Sequence, residues 1–441
     1  MTDWTIISRS LNARRFSTIT TIVMVAVGVA LMVVLLTMRD AGRQSFQRGT
    51  GNVHLLVSRD ASPLSSVLNG LFYAAAPPKP VGFDEYETLR RALPLEWAIP
   101  VQLGDSYKGA WPVLATAPEF FTRFQPAHDT AWTFASGRAF EKNFEIVLGS
   151  AAARGTGLRL GSKVVLTHGT SASRAGPIHE HDEAKYEVVG ILQPTGTIHD
   201  RAMFTNLTSS WLIHALDRLE RAGEADHDHA HDHDHGEFPI CEDDLTAEDR
   251  KITNIYIRVA TRPGSDVSSA LPVVMERIRR DPAFQAAPFT VAGPRAEVDR
   301  LLGIVGNVDR VLVAMAFVVM LSSAVGIMLA LYNSMEQRRR QVAILRVLGA
   351  SQGRVFSLVL TESAFIGLIG AGAGLLVGLV AAQAAAGVLR TQFGVFIAPA
   401  ISLPIALGLV LGTVVLACVA GLVPAAMAYR TSVAVHLKPA A

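Results

Sequence analysis

Four stretches of the chain are apolar on every side, with no polar stripe to mark a face turned to water. The first runs from Phe16 to Met38 and the second from Val311 to Met335, neither with an Asp, Glu, Lys or Arg. The third opens near Val355, contains Glu362 and continues uncharged to Leu389; the fourth lies between Leu403 and Met427. A helix crosses the hydrocarbon core with roughly 20 residues. A single segment there can satisfy its own backbone only as a helix. The pattern predicts four transmembrane helices, assigned to residues 19–38, 308–335, 355–389 and 403–427. The first reads as an uncleaved anchor, because its apolar part exceeds the roughly 7–15 residues of a signal-peptide core. Arg39, Asp40 and Arg43 follow it in place of a small-residue cleavage site.

The region 39–307 has a different pattern. Arg39 to Gln47 extends the first helix without a breaker. Val53–Ser58, Glu145–Leu148, Lys163–Thr167, Tyr186–Leu192 and Ile255–Val259 read as strands, rich in β-branched residues and bounded by polar positions. Phe83–Leu93 reads as an amphipathic helix behind the stiff Pro77, Pro78, Pro80 connector. A helix starting at Gly149 is expected to break at Gly155 and Gly157. Gly169–Ala184 reads as a loop, Pro272–Arg280 as a helix, and Glu297–Asn307 as the helical lead into the second span. The fold class is an α-helical membrane protein of four transmembrane helices, with a mixed α+β domain inserted between the first and second.

Charge sets the expected orientation. Arg9, Arg14 and Arg15 precede the first span; Arg338, Arg339, Arg340, Arg346 and Arg354 lie between the second and third; Arg430 and Lys438 follow the fourth. Basic residues near helix ends mark the cytoplasmic side. An even number of spans places all three segments there together: 1–18, 336–354 and the tail 428–441. The domain 39–307 is then periplasmic, and the chain is a multi-pass protein of the inner (plasma) membrane with both termini cytoplasmic. The domain's 34 acidic and 28 basic residues, against totals of 38 and 40, leave 4 acidic and 12 basic elsewhere. Cys241 and Cys418 are the only cysteines, one in the domain and one in the fourth span, so there is no disulfide framework. No nucleic-acid partner is expected.

The segment Glu336–Leu348 has helix-forming composition, with apolar Val342, Leu345 and Leu348 and a basic side, and Gly349 is placed to stop it. Such a short amphipathic helix just inside the membrane can anchor to anionic headgroups, at about 1 kcal/mol per basic residue. No G-x-x-x-x-G-K-[ST] loop occurs anywhere, so no segment is assigned to cradling nucleotide phosphates. No nucleophile–base arrangement stands out, and the His199-Asp200-Arg201 triplet reads as structural.

Several motifs together carry a family resemblance. SGRAFEKNFEIVLGSAAARGTGLRLGSKVVL (136–166) and YEVVGILQPTGTIHDRAMFTNL (186–207) resemble the periplasmic domain of MacB/FtsX-type ABC transporter permeases. SMEQRRRQVAILRVLGASQGRVF (334–356) resembles their link between second and third helices, and GLVPAAMAYRTSVAVHLKP (421–439) their C-terminal end. The order of one helix, a large domain and three helices agrees.

The resemblance implies a non-enzymatic permease subunit. Its link would dock on a cytoplasmic ABC ATPase through Glu336, Arg338, Arg339, Arg340, Arg346, Leu348 and Gly349. ATP would be hydrolysed by that separate subunit and bound here only through it. The motion would serve export, extraction or efflux at the periplasmic domain. An alternative is a regulator that mechanically switches a periplasmic partner, such as a cell-wall hydrolase, without moving cargo. An ABC transporter has two membrane halves, so a second copy is an expected partner.

Two patterns stay open. Gly370, Gly374 and Gly378 recur every four residues in the third span, where small residues let helices approach; they serve packing within the chain or dimerisation. Glu362 reads as an intramembrane acid or one that reaches toward the interface. Asp226–His235 reads DHDHAHDHDH, so His227, His229, His231, His233 and His235 lie in one loop. His179 and His181 form a smaller cluster. Imidazole and carboxylate suit zinc, but alternating ligands in a polar loop offer exchanging sites rather than one closed tetrahedron. Weak zinc binding, a solvated linker and a pH-responsive charge switch are the three readings; no tightly bound cofactor is expected.

Overall fold

The computed structural model describes residues 12, 15–168, 180–222, 238–261, 266–282, 287–347, 349–393 and 399–430. The chain divides into two compact units, a helical one and a sheet domain; the main divisions fall between Gly42 and Arg43 and between Ile304 and Val305, and the short segment Leu389–Phe396 is grouped with the sheet domain.

The sheet domain is built in chain order. Helix α1 (Arg15–Gly49) delivers its last turns to it. Strand β1 (Leu55–Ser58), helix α2 (Pro63–Gly70), β2 (Val81–Gly82) and α3 (Phe83–Ala92) follow, then the long β3 (Leu95–Tyr107) and β4 (Trp111–Thr116). After the short α4 (Phe120–Arg123) come β5 (Phe134–Gly137), β6 (Glu145–Leu148), α5 (Ser150–Thr156), β7 (Lys163–His168) and β8 (Glu180–Leu192). A 3₁₀ turn (Ile198–Arg201) leads to β9 (Met203–Asn206) and α6 (Leu207–Ala222). The domain closes with β10 (Lys251–Ile252), β11 (Asn254–Val259), α7 (Val267–Arg280), β12 (Thr290–Ala292) and the start of α8 (Pro294–Val347).

Ten strands share one sheet in the order β12-β1-β11-β3-β4-β9-β6-β8-β5, with β7 bridging β3 and β8. The β4–β9 and β6–β8 pairs are parallel and the other pairings antiparallel. Because β7 touches both β3 and β8, strands β3, β4, β9, β6, β8 and β7 close a circuit. Val113, Ile146, Leu148, Val164, Leu166, Tyr186, Val188 and Met203 from these strands form one buried cluster. A second core on β1, β3, β4 and β11 gathers Phe120, Phe121, Phe124, Trp132, Phe140, Phe204 and Tyr256. A third lies where α3, α6 and α7 cover Leu55, Val57, Ile255 and Ile257.

Several expected elements change. Gly155 does not break α5; the helix runs to Thr156 and stops where Gly157 turns left-handed at φ 72°. Residues 180–184 belong to β8, not to a loop, because Thr167 and Glu180 pair across the β7–β8 ladder. Helix α7 begins at Val267, five residues before Pro272; its Asp266 cap accepts from the Ser268 N–H at 3.1 Å. The chain segment expected as a short separate helix after the second span is instead the continuation of α8, one unbroken helix of 54 residues.

The helical unit is formed by α1 and α8 together with α9 (Gln352–Phe393) and α10 (Leu403–Arg430). Among the described residues, four helices are long and apolar enough to cross a membrane: Arg15–Gly49, Arg310–Asn333, Gln352–Leu389 and Leu403–Met427. Helix α1 sits between α8 and α9. On one side the Ser323 hydroxyl donates to the Met24 carbonyl at 3.0 Å. On the other Val25, Val29 and Val33 pack with Ile366 and Ala371. Helix α10 covers the far side of α9, with Ala417 against Gly367 and Ala425 beside Val355 and Val359. Outward side chains such as Leu376, Val380 and Leu403 are about two-thirds exposed, as a lipid-facing surface requires.

Candidate functional sites

The link between the second and third spans begins on α8. Glu336, Arg338, Arg339, Arg340 and Arg346 all belong to that helix, and Arg346 is half-buried. Leu348 lies outside the described residues. Gly349 takes φ +94° and donates its N–H to the Arg346 carbonyl at 3.1 Å, so the helix ends in a left-handed turn as glycine there permits. Ser351 then caps α9: its hydroxyl accepts from the Arg354 N–H at 3.2 Å, and its carbonyl from the Val355 N–H at 3.2 Å. The two helices are joined by a tight turn, which leaves the basic residues on a continuation of α8.

The glycine stripe faces α1. A methyl group added at Gly374 would stand 2.6 Å from the Ala26 carbonyl oxygen, and one at Gly370 2.7 Å from the Val25 Cβ. At Gly378 it would meet Val33 at 2.8 Å. The stripe is therefore filled by the chain's own first helix and is not a free surface for a second copy. Glu362 is buried, only 5% exposed, and its chain neighbour Ser363 is fully buried. It does not reach outward as a snorkelling side chain would.

The metal reading meets no built site. His179, His227, His229, His231, His233 and His235 lie outside the described residues, and of His181 only the backbone, in β8, is described. Among the described residues no group of three or more His, Cys, Asp or Glu is placed to hold an ion.

The His199-Asp200-Arg201 triplet is an organised buried motif. Asp200 Oδ1 accepts from the Thr195 N–H and hydroxyl, both at 2.9 Å, and Oδ2 from the Gly196 N–H at 3.0 Å. Burial raises the Asp200 pKa and these bonds oppose it. His199 is fully buried; its Nε2 lies 3.1 Å from the Gly49 carbonyl oxygen and its Nδ1 2.6 Å from the Tyr73 hydroxyl. A carbonyl only accepts, so Nε2 carries the proton and Nδ1 accepts from Tyr73: the network assigns a neutral imidazole. Desolvation lowers the His199 pKa to about 4, against the bond to Gly49. Arg201 donates to the Ala110 carbonyl at 3.0 Å and lies 5.7 Å over the Trp111 ring, holding the β3–β4 turn. The three side chains are thus engaged with Gly49 and Tyr73, with the Thr195–Gly196 turn, and with the β3–β4 turn.

A cleft of about 520 Å³, which the sequence reading missed, lies among α3, the start of β3 and α4. Two of its carboxylates are already paired, Glu87 with Arg91 and Glu96 with Arg258. No local sequence signal marks it, because its lining comes from four separate segments.

Four membrane-length helices with one α/β domain between the first and second define a multi-pass membrane protein with a large extracytoplasmic domain. Residues 18–274 match the family described as MacB-like periplasmic core domain, and residues 313–433 that described as FtsX-like permease C-terminal. The chain belongs to the MacB/FtsX-like ABC transporter permease family. It is 26% identical over 128 residues to an uncharacterized ABC transporter permease of Methanocaldococcus jannaschii, a match covering 29% of this chain and 32% of that relative. The extracellular domain of the noncanonical ABC-type transporter YknZ from Gram-positive bacteria aligns at 9% identity, covering 54% of this chain and 99% of that domain, with a TM-score of 0.28.

Proposed function

We propose that the chain is the membrane subunit of an ABC transporter of the MacB/FtsX type, powered by a separate cytoplasmic ATPase. The link carrying Glu336, Arg338, Arg339, Arg340 and Arg346 docks on that ATPase. Motion passes through α8 and α1 to the extracytoplasmic domain, where it serves export, extraction or efflux of a substrate. Both termini and the link face the cytoplasm, and two copies form the membrane part. The single observation that carries this reading is α8 itself. One unbroken helix begins at Pro294, just after β12, and runs to Val347, so the basic residues of the link share a helix with the segment that leaves the sheet.

The test is purification of the full-length protein from its native membrane at low detergent. A P-loop ATPase co-eluting in stoichiometric amount is the expected result. A preparation free of any ATPase under conditions that preserve the dimer contradicts the reading. Weak zinc binding by the 226–235 run is a separate proposal. Titration calorimetry on the full chain with and without that run is expected to show heat only for the intact form, and equal heats would remove the run as a zinc ligand.

A further inference from the structure

Helix α1 ends inside the sheet domain, where side chains from distant parts of the chain meet its last turn. Phe46 packs on Phe72 with ring centroids 5.2 Å apart, and the Gln47 amide donates to Asp299 Oδ1 at 3.0 Å on the exposed side. A third contact is the bond from His199 to the Gly49 carbonyl, and it alone of these is polar, directional and buried. The terminal carbonyls of a helix have no partner within the helix. At Gly49 that partner is supplied from 150 residues away.

The surroundings leave the imidazole little freedom. The rings of Phe124, Trp132 and Tyr73 stand 5.2, 6.3 and 5.6 Å from that of His199. Tyr73 holds the other nitrogen from a backbone at φ 59°, a conformation rare for a residue with a side chain. Just beyond, Gly51 at φ +57° brings the chain so close to the Gln125 carbonyl that a Cβ would stand 2.2 Å from it. The exit from the helix is thus fixed on both sides of the His199 bond. An apolar side chain of the same size would fill the space yet leave the buried Gly49 carbonyl unpaired and cost the Tyr73 hydroxyl one of its partners, which is the costly outcome for polar groups away from water.

We propose that His199 is a positioning residue that pins the C-terminal end of α1 to the sheet domain, so that displacement of the first membrane helix is delivered to the sheet rather than lost in the loop after Gly49. The inference rests on the permease reading for what moves α1, but the pin itself is testable without the ATPase. It also gives a use to a buried His-Asp-Arg triplet.

The experiment uses the full-length protein in nanodiscs, as wild type, His199→Ala and His199→Gln, the last keeping one donor and one acceptor. Hydrogen exchange of amides 45–51 is expected to quicken about tenfold in His199→Ala while β1 and β11 amides keep their protection, and His199→Gln is expected to restore the wild-type pattern. In a strain deleted for the gene, His199→Ala is expected to fail in complementation although ATP turnover by the co-purified ATPase is retained, and His199→Gln to complement. Unchanged exchange at 45–51, equal loss of protection throughout the sheet, or full complementation by His199→Ala would each overturn the proposal. If the exchange result holds while the arginine-replaced link still complements, the pin stands and the permease reading falls.

Discussion

At Gly374 the α1 and α9 backbones approach so closely that one methyl group would overlap the Ala26 carbonyl. Gly374→Ala is therefore expected to lower the stability of the helical unit by about 1–3 kcal/mol, the usual cost of overpacking. Gly408→Ala is the control: nothing lies within 4 Å of a Cβ there, and it is expected to leave thermal unfolding in detergent unchanged. His199 makes a second residue-scale prediction. Its folded pKa of about 4 lies below the ordinary 6.5, so the unfolded chain binds the extra proton first. The contribution is full above pH 6.5 and is lost as pH falls through the folded value, about 3 kcal/mol across that window. Glu145, held at about 2 by the Arg138 guanidinium and by the Glu141 and Lys142 N–H groups, loses its contribution at lower pH still. Tryptophan fluorescence of the sheet domain on heating at pH 7.5 and 4.5 checks this. Wild type is expected to be distinctly less stable at pH 4.5, and His199→Gln to show a smaller difference. The sequence suggested a structural role for the triplet but could not show its partners, since Tyr73 and Gly49 lie 126 and 150 residues away.

Elements differ in how far local pattern determines them. The four spans were legible because a single segment in hydrocarbon can satisfy its own backbone only as a long, mostly apolar helix. Strand β3 was not, because Pro100 and Gly104 lie within it, and both count against a central strand. The fold accommodates Pro100 by giving its carbonyl the Thr116 hydroxyl at 2.9 Å, and absorbs Gly104 in an irregular register between Leu103 and Ser106. Helix α6 escaped notice because its first turn, Leu-Thr-Ser-Ser, has weak helix propensity; tertiary burial of Trp211, Leu212 and Ala215 holds it. The continuity of α8 past Met335 was read as a break because charge begins there, although charge ends a membrane span and not a helix. If that continuity transmits motion, Ser334→Pro should uncouple the protein: a proline inside a helix removes a hydrogen bond and costs about 3 kcal/mol. The expected outcome is loss of complementation with unchanged thermal unfolding of the sheet domain. Retained complementation would show that α8 need not be rigid at this point.

For the whole molecule, the family was legible from four motifs in a fixed order; the family matches cover the first three entirely and the C-terminal one as far as residue 433. The glycine stripe illustrates a limit. Spacing alone could not say which helix would fill it, and the answer came from the Val25–Val33 face of α1. The cleft beside α3 illustrates another, since nothing local marks a surface assembled from distant segments. The central claim is that ATP hydrolysis by a separate subunit is coupled through the link. Its most direct test is ATP turnover by the co-purified complex in nanodiscs, compared between wild type and a variant with Arg338, Arg339 and Arg340 replaced by alanine, together with complementation by the same pair. Turnover altered severalfold and complementation lost in the variant is the predicted result. Turnover and complementation both unchanged would contradict the account.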